Sequence, residues 1–178
     1  MTSAAHKYTL SILVENKPSS LTRITGLFAR RAFNIHSLAV GPTQIDDVSR
    51  VTIVTDETTA PVEQIVNQLR RLIYVLKVTV MDSNTSVNRE IILVKVAADS
   101  SVVAERTAVL EVANLFRTKV VDVTPTSLTI EATGSATKLH GFIEALKPYN
   151  ILEIVKSGTI AISRGPDTLE EAHSLGEA

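Results

Sequence analysis

The chain has 178 residues, a hydrophobic fraction of 44% and a formal net charge of −1, enough for the packed cores of one domain or of two small ones. The balanced charge and the aromatic content of 4% argue against a general nucleic-acid binder. The absence of cysteine excludes disulfides, thiolate metal sites and cysteine nucleophiles. No apolar run approaches the roughly 20 residues of a membrane helix, and the N-terminus lacks the apolar stretch of a signal peptide. We therefore expect a cytoplasmic protein.

The hydrophobic pattern of the first half predicts six elements in the order β-α-β-β-α-β. A polar turn with proline separates the first strand from the first helix, and Pro61 suits the first position of the second helix. The predicted elements are strand 8–14, helix 20–32, strand 35–42, strand 48–55, helix 60–72 and strand 75–82. The predicted buried faces are Leu21, Ile24, Leu27 and Phe28 in the first helix, and Val62, Ile65, Val66, Leu69, Leu72 and Ile73 in the second.

The same order of elements restarts after a polar stretch at 83–87, which is typical of a linker. The predicted elements are strand 90–97, helix 101–116, strands 119–124 and 127–132, helix 135–146 with Leu139, Phe142, Ile143 and Leu146 buried, strand 150–156 and a short strand 159–163.

The predicted fold class is α+β, with two ferredoxin-like βαββαβ domains. We assign 1–82 to the first domain, 88–164 to the second and 165–178 to a mobile tail. Helices on one face of each sheet leave the other face and the strand edges exposed. A second copy of the chain is the expected cover, which predicts a homodimer.

The stretch from Tyr8 to Leu38 is suited to holding a small zwitterion. Backbone N–H groups in the first helical turn, around Ser19 to Thr22, carry partial positive charge that suits a carboxylate. Asn16 and Asn34, which flank the strands, could receive an ammonium group. The alternative is that both asparagines only shape turns.

Signs of catalytic chemistry are few. Neither G-x-G-x-x-G nor G-x-x-x-x-G-K-[ST] occurs, and the histidines at 6, 36, 140 and 173 do not form a metal motif. The carboxylate pairs Asp46-Asp47, Asp56-Glu57 and Glu170-Glu171 are expected in loops or in the tail. An independent enzyme is therefore the less favoured class, and we expect no metal ligands and no catalytic residues.

Five ordered segments carry a family resemblance. Taken together, they resemble the regulatory, or small, subunit of acetohydroxyacid synthase, also called acetolactate synthase, and the first segment is similar to that family's N-terminal ACT-domain motif. The segments are LSILVENKPSSLTRITGLFARRAFNIHSL at 10–38, EQIVNQLRRLIYVLKV at 63–78, NREIILVKV at 88–96, VVDVTPTSLTIEATG at 120–134, and the SG…SRG ending at Ser157, Gly158 and Ser163 to Gly165.

The resemblance implies a non-catalytic subunit that binds and activates a thiamine-diphosphate-dependent catalytic subunit. It also implies feedback inhibition of branched-chain amino acid synthesis by valine or a related amino acid, bound between two ACT domains of a homodimer. Thiamine diphosphate, magnesium and FAD would belong to the catalytic partner. The effector-binding residues implied are Asn16, Lys17, Pro18, Ser19, Ser20, Leu21, Asn34, Ile35 and His36.

The chain departs from the family pattern at Ser19, where relatives typically carry glycine. A serine forced into a positive φ costs on the order of 1 kcal/mol, so we expect weakened sensitivity to valine. The serine hydroxyl could instead donate a hydrogen bond to the effector carboxylate. Ala32, where many relatives also have glycine, is a milder departure at a helix end.

Three other classes fit the element order less well. A stand-alone ACT-domain sensor, acting on another enzyme or a transcription factor, is the main alternative. An RNA-recognition module would need aromatic residues on central strands, and strands 90–97 and 119–132 have none. A small hydrolase of ferredoxin-like fold would need an anion-binding loop beyond what Asn16 and Asn34 offer.

Overall fold

A computed structural model describes residues 7–56, 61–166 and 168. The predicted α+β fold with two βαββαβ sheets is confirmed. Its elements are β1 (Lys7–Glu15), α1 (Ser20–Arg30), β2 (Ile35–Pro42), β3 (Val48–Asp56), α2 (Val62–Leu69), β4 (Val75–Met81), β5 (Ser86–Ala97), α3 (Val103–Leu115), β6 (Lys119–Val123), β7 (Ser127–Gly134), α4 (Ala136–Leu146), β8 (Ile151–Lys156) and β9 (Ile160–Ser163).

Contacts divide the chain into two units, and the boundaries differ from the predicted ones. The first unit contains the described residues up to Val87 and those from Gly158 onwards, and the second contains Asn88–Ser157. The segment 158–164, assigned from the sequence to the second domain, is grouped with the first unit. β5 begins at Ser86, so the end of the predicted linker is a strand. The predicted mobile tail lies largely outside the described residues.

The first unit is an antiparallel sheet of strand order β2-β3-β1-β4 with α1 and α2 packed on one face. Alternate residues of β1 point towards the helices, as the period of two in a strand requires. The core contains Leu10, Ile12, Val14, Ile24, Leu27, Phe28, Phe33, Val51, Ile53, Val62, Ile65, Val66, Leu69 and Val78.

Three details of the predicted helices are wrong. α2 ends at Leu69, so Leu72 packs on the core from outside the helix and Ile73 is 62% exposed. Pro61 is the N-cap residue, since its ψ of 145° is not helical. Leu21 is 39% exposed because the buried stripe of α1 starts one residue earlier, at Ser20.

The second unit repeats the arrangement with strand order β6-β7-β5-β8. Its core includes Val94, Val109, Ile130, Leu139 and Phe142. α4 has a side-chain cap, because the Ser135 hydroxyl accepts a hydrogen bond from Lys138 N–H at 3.3 Å. Within the described ranges, no helix combines the length and apolarity needed to span a bilayer.

Residues 158–163, which we call the C-terminal strap, lie against the first sheet. Thr159 N–H donates to Ser37 Oγ at 2.7 Å, and Arg50 Nη1 donates to Ala161 O at 3.5 Å. Thr159 and Ala161 are buried. The strap is therefore a structural part of the first unit.

The first sheet has a second face, on the side opposite the helices. Ser11 and Leu13 alternate with the core residues of β1 and so point to that face, yet they are 0% and 1% exposed. We expected a second subunit to cover this face. At these two positions the face is already buried within the chain itself, and the expected homodimer stays a prediction.

Candidate functional site

The turn between β1 and α1 is closed by the carbonyl oxygen of Glu15. That oxygen accepts hydrogen bonds from Lys17 N–H at 2.8 Å and from Ser20 Oγ at 2.9 Å. Ser19 adopts φ 72° and ψ −1°, a left-handed conformation. Two hydrogen bonds to one carbonyl oxygen and one left-handed residue thus reverse the chain between the end of β1 at Glu15 and the start of α1 at Ser20.

The first turn of α1 presents backbone donors. Leu21 and Thr22 lie too early in the helix for their N–H groups to have intrahelical acceptors, and the Ser19 side chain makes no capping hydrogen bond. Ser20 N–H is used by Lys17 O at 3.2 Å. The helix terminus therefore offers N–H groups and partial positive charge suited to a carboxylate.

Two residues that the sequence-based prediction missed support this turn. Asn16 N–H donates to Asp47 O at 2.6 Å, and Glu15 N–H donates to Tyr74 O at 2.9 Å. Asp47 has φ 59° and Tyr74 has φ 74°. With Ser19, they make three of the five non-glycine residues of positive φ among those described. Backbone strain of this kind concentrates at binding sites, but the residue types alone give little sign of it.

The remaining predicted site residues lie at the start of β2. Asn34 O accepts a hydrogen bond from Thr55 Oγ1 at 2.7 Å. The Asn34 amide lies 3.3 Å from His36 Nε2, which is 2.6 Å from Asp56 Oδ2. The Asp56 side chain is only 7% exposed. Asp56 was expected in a loop, but it ends β3 and is buried; cross-strand pairing, not local sequence, places it beside the site.

The nine predicted effector residues form two groups at opposite ends of the first sheet. Glu15, next to the first group, pairs with Val48 at the start of β3. Ile35, in the second group, pairs with Thr55 near the end of β3. β3 is 9 residues long, so on the order of 25 Å separates the groups. The first group is Asn16, Lys17, Pro18, Ser19, Ser20 and Leu21; the second is Asn34, Ile35 and His36.

Comparison with known proteins decides the family. Residues 10–77 match the model described as the AHAS small subunit-like ACT domain, and residues 89–165 match the model of the small subunit of acetolactate synthase. The chain belongs to the acetolactate synthase small-subunit family. The predicted family and the predicted ACT domain are confirmed.

Acetolactate synthase small subunits from distant organisms match nearly the whole chain. That of Mycolicibacterium smegmatis is 49% identical over 166 residues, covering 93% of this chain and 96% of the relative. A probable acetolactate synthase small subunit from Archaeoglobus fulgidus is 43% identical over 159 residues, covering 89% and 98%. The crystal structure of the Thermotoga maritima acetolactate synthase small subunit superposes with a TM-score of 0.80 at 34% identity, covering 91% of this chain and 99% of that one.

The second unit differs from the first in the turn after its first strand. A cavity of about 510 Å³ follows β5, with Asp99, Glu105, Tyr149 and Asn150 in its lining. Hydrogen bonds from the Ser101 N–H and hydroxyl lower the pKa of Asp99. The lining therefore contains two carboxylates, Asp99 and Glu105, which do not suit a bound carboxylate.

Two histidines have carboxylate partners not expected from the sequence. His36 bonds Asp56, and His140 Nε2 lies 3.9 Å from Glu144 Oε1 on the surface of α4. The histidines at 6 and 173 lie outside the described residues. Within the described part of the chain, no group of three or more His, Asp or Glu side chains is placed to hold a metal ion.

Proposed function

We propose that this chain is the regulatory subunit that binds and activates the catalytic subunit of acetolactate synthase and confers feedback inhibition by valine. The effector site forms between two ACT domains of a homodimer. The single observation that carries the site proposal is the separation of the predicted effector residues. One protomer holds its two groups at opposite ends of the sheet, so one chain cannot close the site.

Pairing between two copies of β2 removes that separation. β2 is an edge strand of the first sheet, and Pro42 at its end pairs with Ser49 near the start of β3. Antiparallel pairing about a two-fold axis sets Ile35 of one copy against Pro42 of the other. The second group of one protomer then lies at the same end of the shared sheet as the first group of its partner.

The chemistry of the two groups matches a branched-chain amino acid. The N-terminus of α1 receives the carboxylate, and the side chains of Asn16 and Asn34 supply further polar partners. Leu21 is exposed in the turn and Ile35 is half-buried, so both can contact a branched apolar side chain. Binding would bury apolar area on each, at about 25 cal/mol per Å².

Sensitivity to valine is weakened at Ser19. Its left-handed backbone is the conformation that glycine adopts without steric cost. If the turn adjusts when valine binds, the Cβ of Ser19 restricts the backbone conformations that it can adopt, whereas glycine would not. Activation of the catalytic subunit does not depend on this turn and is retained.

The reaction itself belongs to the partner subunit. We assign thiamine diphosphate, magnesium and FAD to the catalytic subunit, where they supply the chemistry that joins two pyruvate molecules into 2-acetolactate. This chain contributes binding and regulation, and we place the assembly in the cytoplasm.

Co-purification with the catalytic subunit tests the function. We expect a stable complex, higher acetolactate synthase activity with this chain than without it, and progressive inhibition as valine is added. Valine should have less effect on the catalytic subunit alone. Failure to form a complex, together with no activation, would reject the proposal.

A further inference from the structure

Three side chains form a connected group at the start of β2. The buried Asp56 carboxylate lies 2.6 Å from His36 Nε2, a distance typical of a charge-assisted hydrogen bond. The amide nitrogen of Asn34, Nδ2, lies 3.3 Å from the same Nε2. Asp56 is 7% exposed at its side chain, whereas that of His36 is 32% exposed and Asn34 is exposed. The group therefore runs from the protein interior to the predicted effector site.

The bonding capacity of Nε2 decides how the group is ordered. An imidazole nitrogen has a single in-plane position, which either donates a proton or accepts one. The shorter contact, to Asp56, takes that position. A carboxylate that is ionised can only accept, so an ionised Asp56 requires Nε2 to carry a proton and to donate the hydrogen bond.

The NH₂ group of Asn34, the end of the amide that lies nearest to the imidazole, consequently faces a donor. The carbonyl oxygen of the amide is attracted to a protonated Nε2, whereas the NH₂ group is repelled by it. A half-turn about the terminal torsion of asparagine exchanges these two ends at little cost, because that torsion is broad and nearly two-fold. The end that faces the effector is therefore set by His36 and Asp56.

We propose that Asp56, acting through His36, holds Asn34 with Oδ1 towards the imidazole and with its NH₂ group presented to the effector carboxylate. The idea rests on the proposed effector site. Asn34 of one protomer then shares the carboxylate with the α1 N-terminus of its partner, and Asp56 and His36 are positioning residues. Asn16 remains as a partner for the ammonium group.

The proton on His36 can be read without any effector. Nitrogen-15 correlation spectra of the imidazole in the full chain should show Nε2 protonated in the wild type. Asp56→Ala removes the acceptor, and the preference for a proton on Nε2 should be lost. An unprotonated Nε2 in the wild type, or an unchanged imidazole spectrum in Asp56→Ala, would overturn the proposed action of Asp56 through His36, whether or not valine binds.

Asn34→Asp separates the two possible orientations of the amide. If Asn34 donates to the effector carboxylate, this change places two negative groups together, and the Kd for L-valine should rise roughly ten- to a hundredfold. If Asn34 accepted from the ammonium group, affinity would be retained or improved, and the proposal would be wrong. The position is exposed, so this variant should fold.

Glu90→Ala is the matched control for the loss of a buried carboxylate. Glu90 is 7% exposed at its side chain and bonds Lys156 Nζ at 2.8 Å in the second unit. Asp56→Ala should raise the Kd for valine about tenfold, and Glu90→Ala should leave it unchanged. Equal losses in both would assign the effect to general destabilisation and overturn the proposal. A wild-type chain that binds no valine would count against the proposed effector. The imidazole spectra would still show whether Asp56 holds the proton on His36 Nε2.

Discussion

Ser19 adopts a left-handed backbone at the point where β1 turns into α1. Non-glycine residues in that region carry a cost of roughly 1–2 kcal/mol, which glycine avoids. Ser19→Gly should therefore stabilise the folded chain by up to about 1 kcal/mol, after allowing for the greater freedom of glycine when unfolded. It should also tighten valine binding by up to about tenfold. Urea unfolding and calorimetric titration measure the two effects.

Ser19→Ala is the control, because it removes the hydroxyl and keeps the Cβ that causes the strain. We expect no gain in affinity from alanine. If alanine instead weakened binding and glycine gave no improvement, the hydroxyl would be contributing a bond to the effector, and the strain explanation would be wrong. Tight, equal binding by the wild type and Ser19→Gly would also contradict it.

Ala32 adopts φ 55° at the end of α1, inside a Schellman motif. Ala32 N–H donates to Ala29 O at 3.2 Å, and Phe33 N–H donates to Phe28 O at 3.0 Å. The rings of Phe28 and Phe33 meet edge to face at 5.9 Å, the apolar contact that accompanies this motif. Ala32→Gly should raise the free energy of unfolding by about 0.5–1 kcal/mol in urea denaturation.

The same chemical change three residues earlier should have the opposite sign. Ala29 is exposed within the last turn of α1, where glycine costs up to about 1 kcal/mol relative to alanine. If Ala29→Gly and Ala32→Gly shifted stability in the same direction, the left-handed backbone at Ala32 would not be the cause.

At the scale of elements, the strap depends on one glycine. A Cβ at Gly158 would lie 2.2 Å from the carbonyl oxygen of Leu38 and 2.9 Å from the backbone nitrogen of Ala39. Neither backbone atom can move without distorting β2. Gly158→Ala should therefore displace the strap and lower stability by about 1–3 kcal/mol, with faster hydrogen exchange at the Thr159 amide.

Gly41→Ala gives the comparison within β2 itself. A Cβ at Gly41 meets no other atom within 4 Å, so we expect a stability change of less than about 0.5 kcal/mol and normal exchange at Thr159. Unaltered exchange at Thr159 in Gly158→Ala would show that the strap is not held by this close approach.

Periodicity predicted the elements well because local spacing determines which face of a helix or strand is apolar. β2 has the bounds predicted for it, and the buried residues of α4 include Leu139 and Phe142 as expected. Periodicity wrongly predicted that Ile73 is a buried helical residue, because an apolar residue just past a helix end continues the spacing without continuing the helix. Local pattern also cannot show that Pro61 caps the helix rather than beginning it.

The candidate site was only partly predictable for a different reason. Asn16 and Asn34 are recognisable in the sequence because they border strands. Asp56 and Tyr74 reach the site through strand pairing and a backbone bond, both formed between residues distant in the sequence. Gly158 is equally remote from Leu38. Contacts of this kind depend on topology, which residue spacing does not encode.

At the scale of the whole molecule, the two units of the internal repeat differ at the turn after their first strand. Both units place a turn after their first strand, but only the first combines a left-handed serine with uncapped N–H groups. In the second, the N–H and the hydroxyl of Ser101 both donate hydrogen bonds to Asp99 Oδ1. The Asp99 carboxylate therefore places a negative charge where an effector carboxylate would need a donor. The proposed effector site therefore uses the turn of the first unit and not that of the second.

The dimer proposal leads to a test at the two edges of the first sheet. Val40 on β2 is 49% exposed, and Val80 on β4, at the opposite edge, is 39% exposed. In the pairing proposed above, Val40 of one copy lies opposite Ser37 of the other, so aspartate at position 40 would place a charge inside the paired edge of each copy, as edge charges do when they block strand pairing. Val40→Asp should therefore sediment as a monomer and lose valine binding, while each chain keeps its fold by circular dichroism. Val80→Asp, which lies away from the axis, should remain a dimer and bind valine. A dimeric Val40→Asp variant, or a monomer that still binds valine with wild-type affinity, would place the effector site elsewhere than between two copies of β2.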